Sequence, residues 1–184
     1  MNVQGGFGLF DDPDDSKNKG FLRRSLLWRR GNDALTLCKI HFDDPEMVPS
    51  WSWMAVSGGI SYFHPQFTGF DWKHIKPPWL HPTQADTKQI IEAQVTDFEL
   101  PGADSEEHEV IFDDSGRSKQ GKTKAIVLGI EKLPNAVEAK RHYILLVDMM
   151  AEFTPDGHKY CKRVGAGYLP GKWLTGAETP CALI

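Results

Sequence analysis

Cysteine is scarce in this chain, and what there is does not pair by spacing. Cys38, Cys161 and Cys181 are the whole complement. An odd number without a C-x-x-C spacing argues against a disulfide framework and for a reducing compartment. An excess of positive charge is also missing. Lys and Arg number 21 against 25 Asp and Glu, a net charge of −4, which removes the electrostatic basis of general affinity for nucleic acid or anionic membrane. Long hydrophobic runs are absent too. The longest strongly apolar runs, residues 125–128 and 143–147, fall far short of the roughly 20 residues a spanning helix needs. Residues 1–15 lack the basic-then-apolar order of a secretory signal. A cytoplasmic protein is expected, with no nucleic-acid partner and no membrane partner unless Cys181 is prenylated.

What is present is an ordinary globular balance, 40% hydrophobic and 25% charged, with the charge unevenly placed. Residues 16–32 hold six Lys/Arg and no acid, whereas residues 97–116 hold eight Asp/Glu and no Lys/Arg. Each block reads as a solvated face or loop. Residues 1–19, rich in Gly, Asp, Asn and Lys, read as a flexible lead, and residues 20–184 as a single β-rich domain. A short helix is expected over residues 21–30 and extended chain over 34–42. The prolines of residues 64–88 exclude a regular helix or central strand, leaving a long loop pinned by Trp72 and Trp79.

Strands become clear after that loop. Ile91, Ala93 and Val95 alternate with Glu92, Gln94 and Thr96, the pattern of a half-buried strand. Residues 125–130 are rich in β-branched side chains, and residues 143–147 read as a fully buried strand. Residues 160–164 alternate again, and residues 182–184 are suited to close a sheet edge. Pro-Gly, Asp-Asp-Ser-Gly and Pro-Asp-Gly turns separate these runs. The pattern predicts a mainly β fold, an antiparallel sandwich or open barrel with one short N-terminal helix and long Pro-rich loops.

The most distinctive stretch is Pro49-Ser50-Trp51-Ser52-Trp53. Read as extended chain, it puts Trp51 and Trp53 on one face and Ser50 and Ser52 on the other. It is then either a core anchor or an aromatic platform. The wider run, continuing through Ser57-Gly58-Gly59-Ile60-Ser61-Tyr62, resembles a pattern found downstream of the named domain in fungal heterokaryon-incompatibility (HET) proteins. Leu26-Leu27-Trp28 resembles the segment that precedes this pattern in the family. Residues 93–95, Gly116 and 125–133 resemble the strand–loop–strand region that follows it, and residues 143–147 the next buried strand. Tyr160-Cys161-Lys162-Arg163-Val164-Gly165-Ala166-Gly167 resembles the family's Tyr-Glu-Arg-Val-Gly-Val-Gly segment, with Cys161-Lys162 interrupting its spacing. The motifs of the HET domain itself do not occur. The resemblance implies a β-rich C-terminal module acting in fungal non-self recognition and programmed cell death, and any activity carried by the HET domain itself does not transfer to this chain.

Several residues invite a chemical reading. Gly116-Arg117-Ser118-Lys119-Gln120-Gly121-Lys122-Thr123 fits G-x-x-x-x-G-K-[ST], and residues 144–148 end on Asp148 like a Walker-B strand. A P-loop cradles phosphates with backbone N–H groups, adds the Lys charge, and needs a helix after it. Here residues 124–130 favour a strand, so a hairpin loop is expected and nucleotide binding is the alternative. Cys181-Ala182-Leu183-Ile184 has the C-a-a-X form, making Cys181 a lipidation candidate; without a polybasic neighbour a plain strand is the simpler reading. His64, Asp71, His74 and His81 match no compact metal-ligand spacing, and the Asp11–Asp15 acids lack the Gly and distal Glu of a calcium loop. Cys38 near His41 has no nucleophile signature.

No catalytic residue, cofactor or metal is therefore assigned. Three functions are left. The first is a non-catalytic interaction or regulatory module with protein partners. The second is a small-ligand or carbohydrate binder using Trp51, Trp53, Trp72 and Trp79 as stacking rings. The third is a nucleotide-binding protein using Gly116, Gly121, Lys122 and Thr123.

Overall fold

A computed structural model describes residues 4–11, 21–32, 37–43, 48–65, 69–73, 75–76, 89–102, 107–132 and 136–184. The first half of the chain supplies short pieces: strands β1 (Gln4–Gly6) and β2 (Leu9–Asp11), helix α1 (Phe21–Ser25), then β3 (Trp28–Arg30), β4 (Cys38–Lys39), β5 (Val56–Ser57), β6 (Ile60–Tyr62) and β7 (Phe70–Trp72). The second half supplies the body: β8 (Ile91–Phe98), β9 (Glu109–Phe112), β10 (Thr123–Glu131), β11 (Arg141–Phe153), β12 (Lys159–Pro170) and β13 (Leu174–Leu183). The molecule is mainly β with one short helix, as the patterning predicts.

The five long strands pair in a ring. β8 pairs with β10, β10 with β11, β11 with β12, β12 with β13, and β13 back with β8. Neighbours in an antiparallel ring must alternate direction, which an odd number of strands cannot do all the way round. One junction is accordingly parallel: β12 with β13, through Lys159↔Cys181, Tyr160↔Ala182 and Cys161↔Leu183. β9 extends the body from the other half of β12, and β7 joins β10. The chain's last residues thus lie between β12 and β8, not at the sheet edge expected for residues 182–184.

Alternation along the strands sends side chains to two cores. Ile91, Val95, Ile126, Leu128, Leu145 and Val147 belong to one, which also receives Leu9, Leu22, Leu26, Leu27, Trp51 and Phe63 from the first half. Phe98, Ala125, Val127, Ile144, Leu146 and Leu169 belong to the other, beside Phe112 of β9. A bulge keeps β12 on course. Leu146 pairs with Gly165 but Val147 with Arg163, so Val164 is the extra residue. The shift in phase lets Cys161 before it and Ala166 after it face the same core.

Several expectations over the first half need correction. Residues 4–11 are not a flexible lead. They form a hairpin whose central Phe7 and Gly8 both take positive φ, 54° and 76°, the handedness that tight hairpins require. Leu9 is buried in the core and Phe7 meets Trp51 edge-on at 5.8 Å. The helix expected over residues 21–30 stops at Ser25, because Trp28 to Arg30 pair with Ile60 to Tyr62 as strands. Within the expected long loop of residues 64–88, Phe70–Trp72 is an added strand on β10, while residues 77–88 lie outside the described residues. Nor is the basic block merely a solvated face: Arg23 is buried and donates to the carbonyls of Lys73 and Ile75.

Candidate functional site

The most unusual group in the molecule is the Arg163 guanidinium, whose side chain is 0% exposed. β12 puts it on the core face, in phase with Cys161. Nη1 donates to the Leu26 carbonyl at 2.8 Å, and Nη2 to the Trp28 carbonyl. Nε reaches Asp113 Oδ2 at 3.3 Å. The guanidinium also stacks 3.3 Å from the Trp28 ring centroid, combining planar hydrogen bonding with a cation–π contact. Burial pulls its pKa down, and Asp113 acts in the opposite direction. A buried charge persists only when paired and hydrogen-bonded, and here the neighbours supply both.

The Pro49–Trp53 motif closes around the same arginine, in a conformation the sequence reading missed. The segment is a turn and not a strand, although Ser52 itself keeps extended dihedrals. Ser52 N–H donates to the Pro49 carbonyl, Ala55 N–H donates to Ser52, and Trp53–Ala55 is a 3₁₀ turn. The cause is Ser52, whose hydroxyl oxygen accepts from Met54 N–H at 3.0 Å while its own proton goes to the Phe7 carbonyl at 2.6 Å. A serine bonding its local backbone competes with a strand ladder. Ser50 is used in a similar way, accepting from Arg163 N–H at 3.2 Å and donating to the Ile184 carbonyl. Trp28 Nε1 donates to the Trp51 carbonyl at 2.8 Å.

Of the four tryptophans of the expected platform, the three described are engaged in packing. Trp51 is fully buried, and its Nε1 donates to the Gln89 carbonyl at 3.1 Å. Trp53 is half-buried and lies against Gly8, where an added Cβ would come within 2.2 Å of its indole nitrogen. Trp72, also half-buried, covers Gly129 in the same manner, at 2.7 Å. Trp79 lies outside the described residues. The described rings are spent on packing between segments.

Gly116, Gly121 and Lys122 fall in the β9–β10 connection and Thr123 opens β10, a strand as the sequence indicates. The long helix of a P-loop has no counterpart at that position. The loop's chemical groups turn inward on Asp148 of β11. Thr123 Oγ1 donates to Asp148 Oδ1 at 2.9 Å, Lys122 Nζ lies 3.2 Å from Oδ2, and Arg117 forms an ion pair with the same carboxylate. Burial raises the Asp148 pKa, but the contacts from Arg117, Thr123 and Lys122 outweigh it and hold the carboxyl below its ordinary range. The match of these letters to a phosphate loop is explained by an internal clamp.

Cys181, the lipidation candidate, is buried in β13 next to Cys161. Hydrogen bonding to Cys181 and burial together push the Cys161 thiol far above its ordinary range, the reverse of what a nucleophile needs. Cys38 is exposed. His64 is exposed as well, Asp71 pairs with Lys132 at 3.3 Å, and His74 and His81 lie outside the described residues. Among the described residues no three His, Cys, Asp or Glu side chains gather to hold a metal ion, and no helix is long and apolar enough to cross a membrane.

In comparisons with protein-family models, curated proteins and solved structures, nothing matches the chain. The functional reading therefore rests on the residues and their geometry. Sequence reasoning missed Arg163 as the centre. The available signal was an arginine two residues from Cys161 in an alternating strand, a core-facing position for a charged side chain.

Proposed function

We propose that this chain is a non-catalytic interaction and regulatory module of the kind that follows the HET domain in HET proteins, acting on protein partners in non-self recognition and cell death. One observation carries the reading. Three of the segments on which the resemblance was based, Leu26 to Trp28, Pro49 to Trp53 and Tyr160 to Gly167, are far apart in sequence but meet around Arg163. Segments that share one buried network have a structural reason to occur together. The network supports the view that the resemblance follows one folding unit. Thr123 Oγ1 is engaged by Asp148 and the segment after the loop is a strand rather than a helix, which favours the module over the nucleotide-binding alternative.

The test is calorimetric. The purified chain is titrated with a HET domain from the same organism, and separately with ATP and GTP. Saturable one-to-one binding to the HET domain, with no heat from either nucleotide, is the expected result. Micromolar nucleotide binding, or no association with any HET domain tried, rejects the proposal.

A further inference from the structure

One end of the strand ring opens into a cleft of about 720 Å³. The start of β10, the far end of β11, the start of β12 and the Thr179–Pro180 stretch of β13 each supply part of its wall. Its lining includes Lys122, Lys124, Met149, Met150, His158 and Lys159, and contains no Asp or Glu. This is an apolar floor with a cationic rim on a chain of net negative charge. Carboxylates outside the lining neutralise the rim only in part, and the exposed Glu152, Asp156 and Glu178 flank lining residues in sequence. Asp148 already faces both Arg117 and Lys122, while Asp97 pairs with Lys124 at 3.0 Å. Lys159 has no carboxylate partner among the described residues and lies 5.4 Å from the centroid of the Phe153 ring, which is 57% exposed.

The backbone beside the cleft is also incomplete. β11 pairs with β10 only as far as Thr123↔Asp148, with Met149 N–H donating to the Lys122 carbonyl just beyond. Among the described residues no strand pairs with the β10-facing edge of β11 from Met150 to Phe153. An unpaired edge beside pockets for alternate side chains is the arrangement that accepts an added strand, and an exposed aromatic next to it offers an anchor.

We propose that this cleft docks an extended acidic segment of a protein partner, its carboxylates meeting Lys122, Lys124 and Lys159 and its apolar side chains resting on Met149 and Met150. The proposal rests on the interaction-module reading and assigns it a surface.

The test uses a fluorescein-labelled short peptide of alternating Glu and Leu, with a Lys–Leu peptide of equal length as control. Binding is read by anisotropy and by the methyl signals of ¹³C-methionine-labelled protein. The expected result is saturable binding of the Glu–Leu peptide alone, weakening as salt rises, with shifts at Met149 and Met150 and none at Met54. Lys159→Glu and Lys122→Ala should each weaken binding about tenfold or more, one lost contact to a charge, and an unfolding curve shows that each variant is folded. Lys159→Gln serves if Lys159→Glu fails to fold. Equal binding of both peptides, no binding, unchanged affinity in the folded variants, or full displacement by inorganic phosphate at matched ionic strength overturns the proposal. A HET-domain complex that forms and ignores the Lys substitutions overturns this assignment while leaving the module reading in place.

Discussion

Arg163 stands where an alternating strand would place an apolar side chain, and its surroundings were assembled to keep its charge. Two main-chain carbonyls, the Asp113 carboxylate and the Trp28 ring all depend on the one guanidinium. Removing one partner of a buried charged pair costs about 3–5 kcal/mol, because the other groups lose their compensation. Arg163→Ala is expected to destabilise the chain by about that amount in urea unfolding, and Arg163→Lys to recover only part, since an ammonium lacks the planar fork. A loss under about 1 kcal/mol would mean the network is not structural. Asp148 gives a prediction in pH. Its folded-state pKa is depressed, so the stability it provides is present above the unfolded carboxylate pKa of about 3.9 and is lost as pH falls through the lower folded value. Asp148→Asn should flatten the acid limb of the stability profile and lower stability at neutral pH. His142 also has a depressed pKa, chiefly from burial; its bond to the Lys140 carbonyl opposes this, and the charges of Lys73 and Lys140 add to it. It therefore favours the fold above the ordinary imidazole value near about 6.5, and this contribution fades as pH falls from there through the folded value. His142→Gln should remove that step from a plot of unfolding midpoint against pH.

At the scale of elements, β9 and β12 approach too closely for side chains at two positions. A Cβ at Gly165 would lie 2.4 Å from the Ile111 carbonyl oxygen, and one at Gly167 would lie 2.4 Å from that of Glu109. Both obstacles are backbone, which cannot rotate away. Gly165→Ala is expected to detach β9, read as fast amide hydrogen exchange at Val110 to Phe112 and a destabilisation of about 1–3 kcal/mol; full protection there would refute it. The element scale also shows what could be read in advance. β8 was plain because Ile91, Ala93 and Val95 face the core while Glu92 and Gln94 face solvent, so composition and geometry carry the same period. Only residues 143–147 of β11 were recognised, whereas the strand runs from Arg141 to Phe153. Asp148 ended the apolar run, and the clamp that accommodates it comes from the β9–β10 connection and the first residue of β10. The Trp51 turn was misread because strand alternation and a serine-capped turn share the same letters; Phe7, 45 residues away, receives the hydrogen bond that decides between them. Arg163 had no legible partners for the same reason, since Leu26 is 137 residues distant.

At the scale of the whole molecule, the first half of the chain is a set of short pieces fastened to a strand ring, and the fastenings are polar as much as apolar. The acidic block of residues 97–116 takes part in this: Glu109 meets Arg29 at 3.5 Å and Asp113 meets Arg163. The basic and acidic blocks thus face each other in part, which sequence order alone did not reveal. The three thiols report on the integrity of this assembly. Cys38 should react with an aromatic disulfide reagent within the mixing time, whereas Cys161 and Cys181, both fully buried, should react only at the rate of global unfolding. Three equally fast thiols would show that β12 and β13 open locally.

The pairing of β13 with β8, which closes the ring, also bears on the chain as it is synthesised. β8 emerges early, yet its neighbour across the Ile91↔Leu183 register is made 92 residues later. Until then β8 presents an unpaired edge of Ile91, Ala93 and Val95, of the kind on which chains aggregate. A chain cut before residue 174 holds the other four long strands with that edge of β8 open, and is expected to aggregate where the full ring does not.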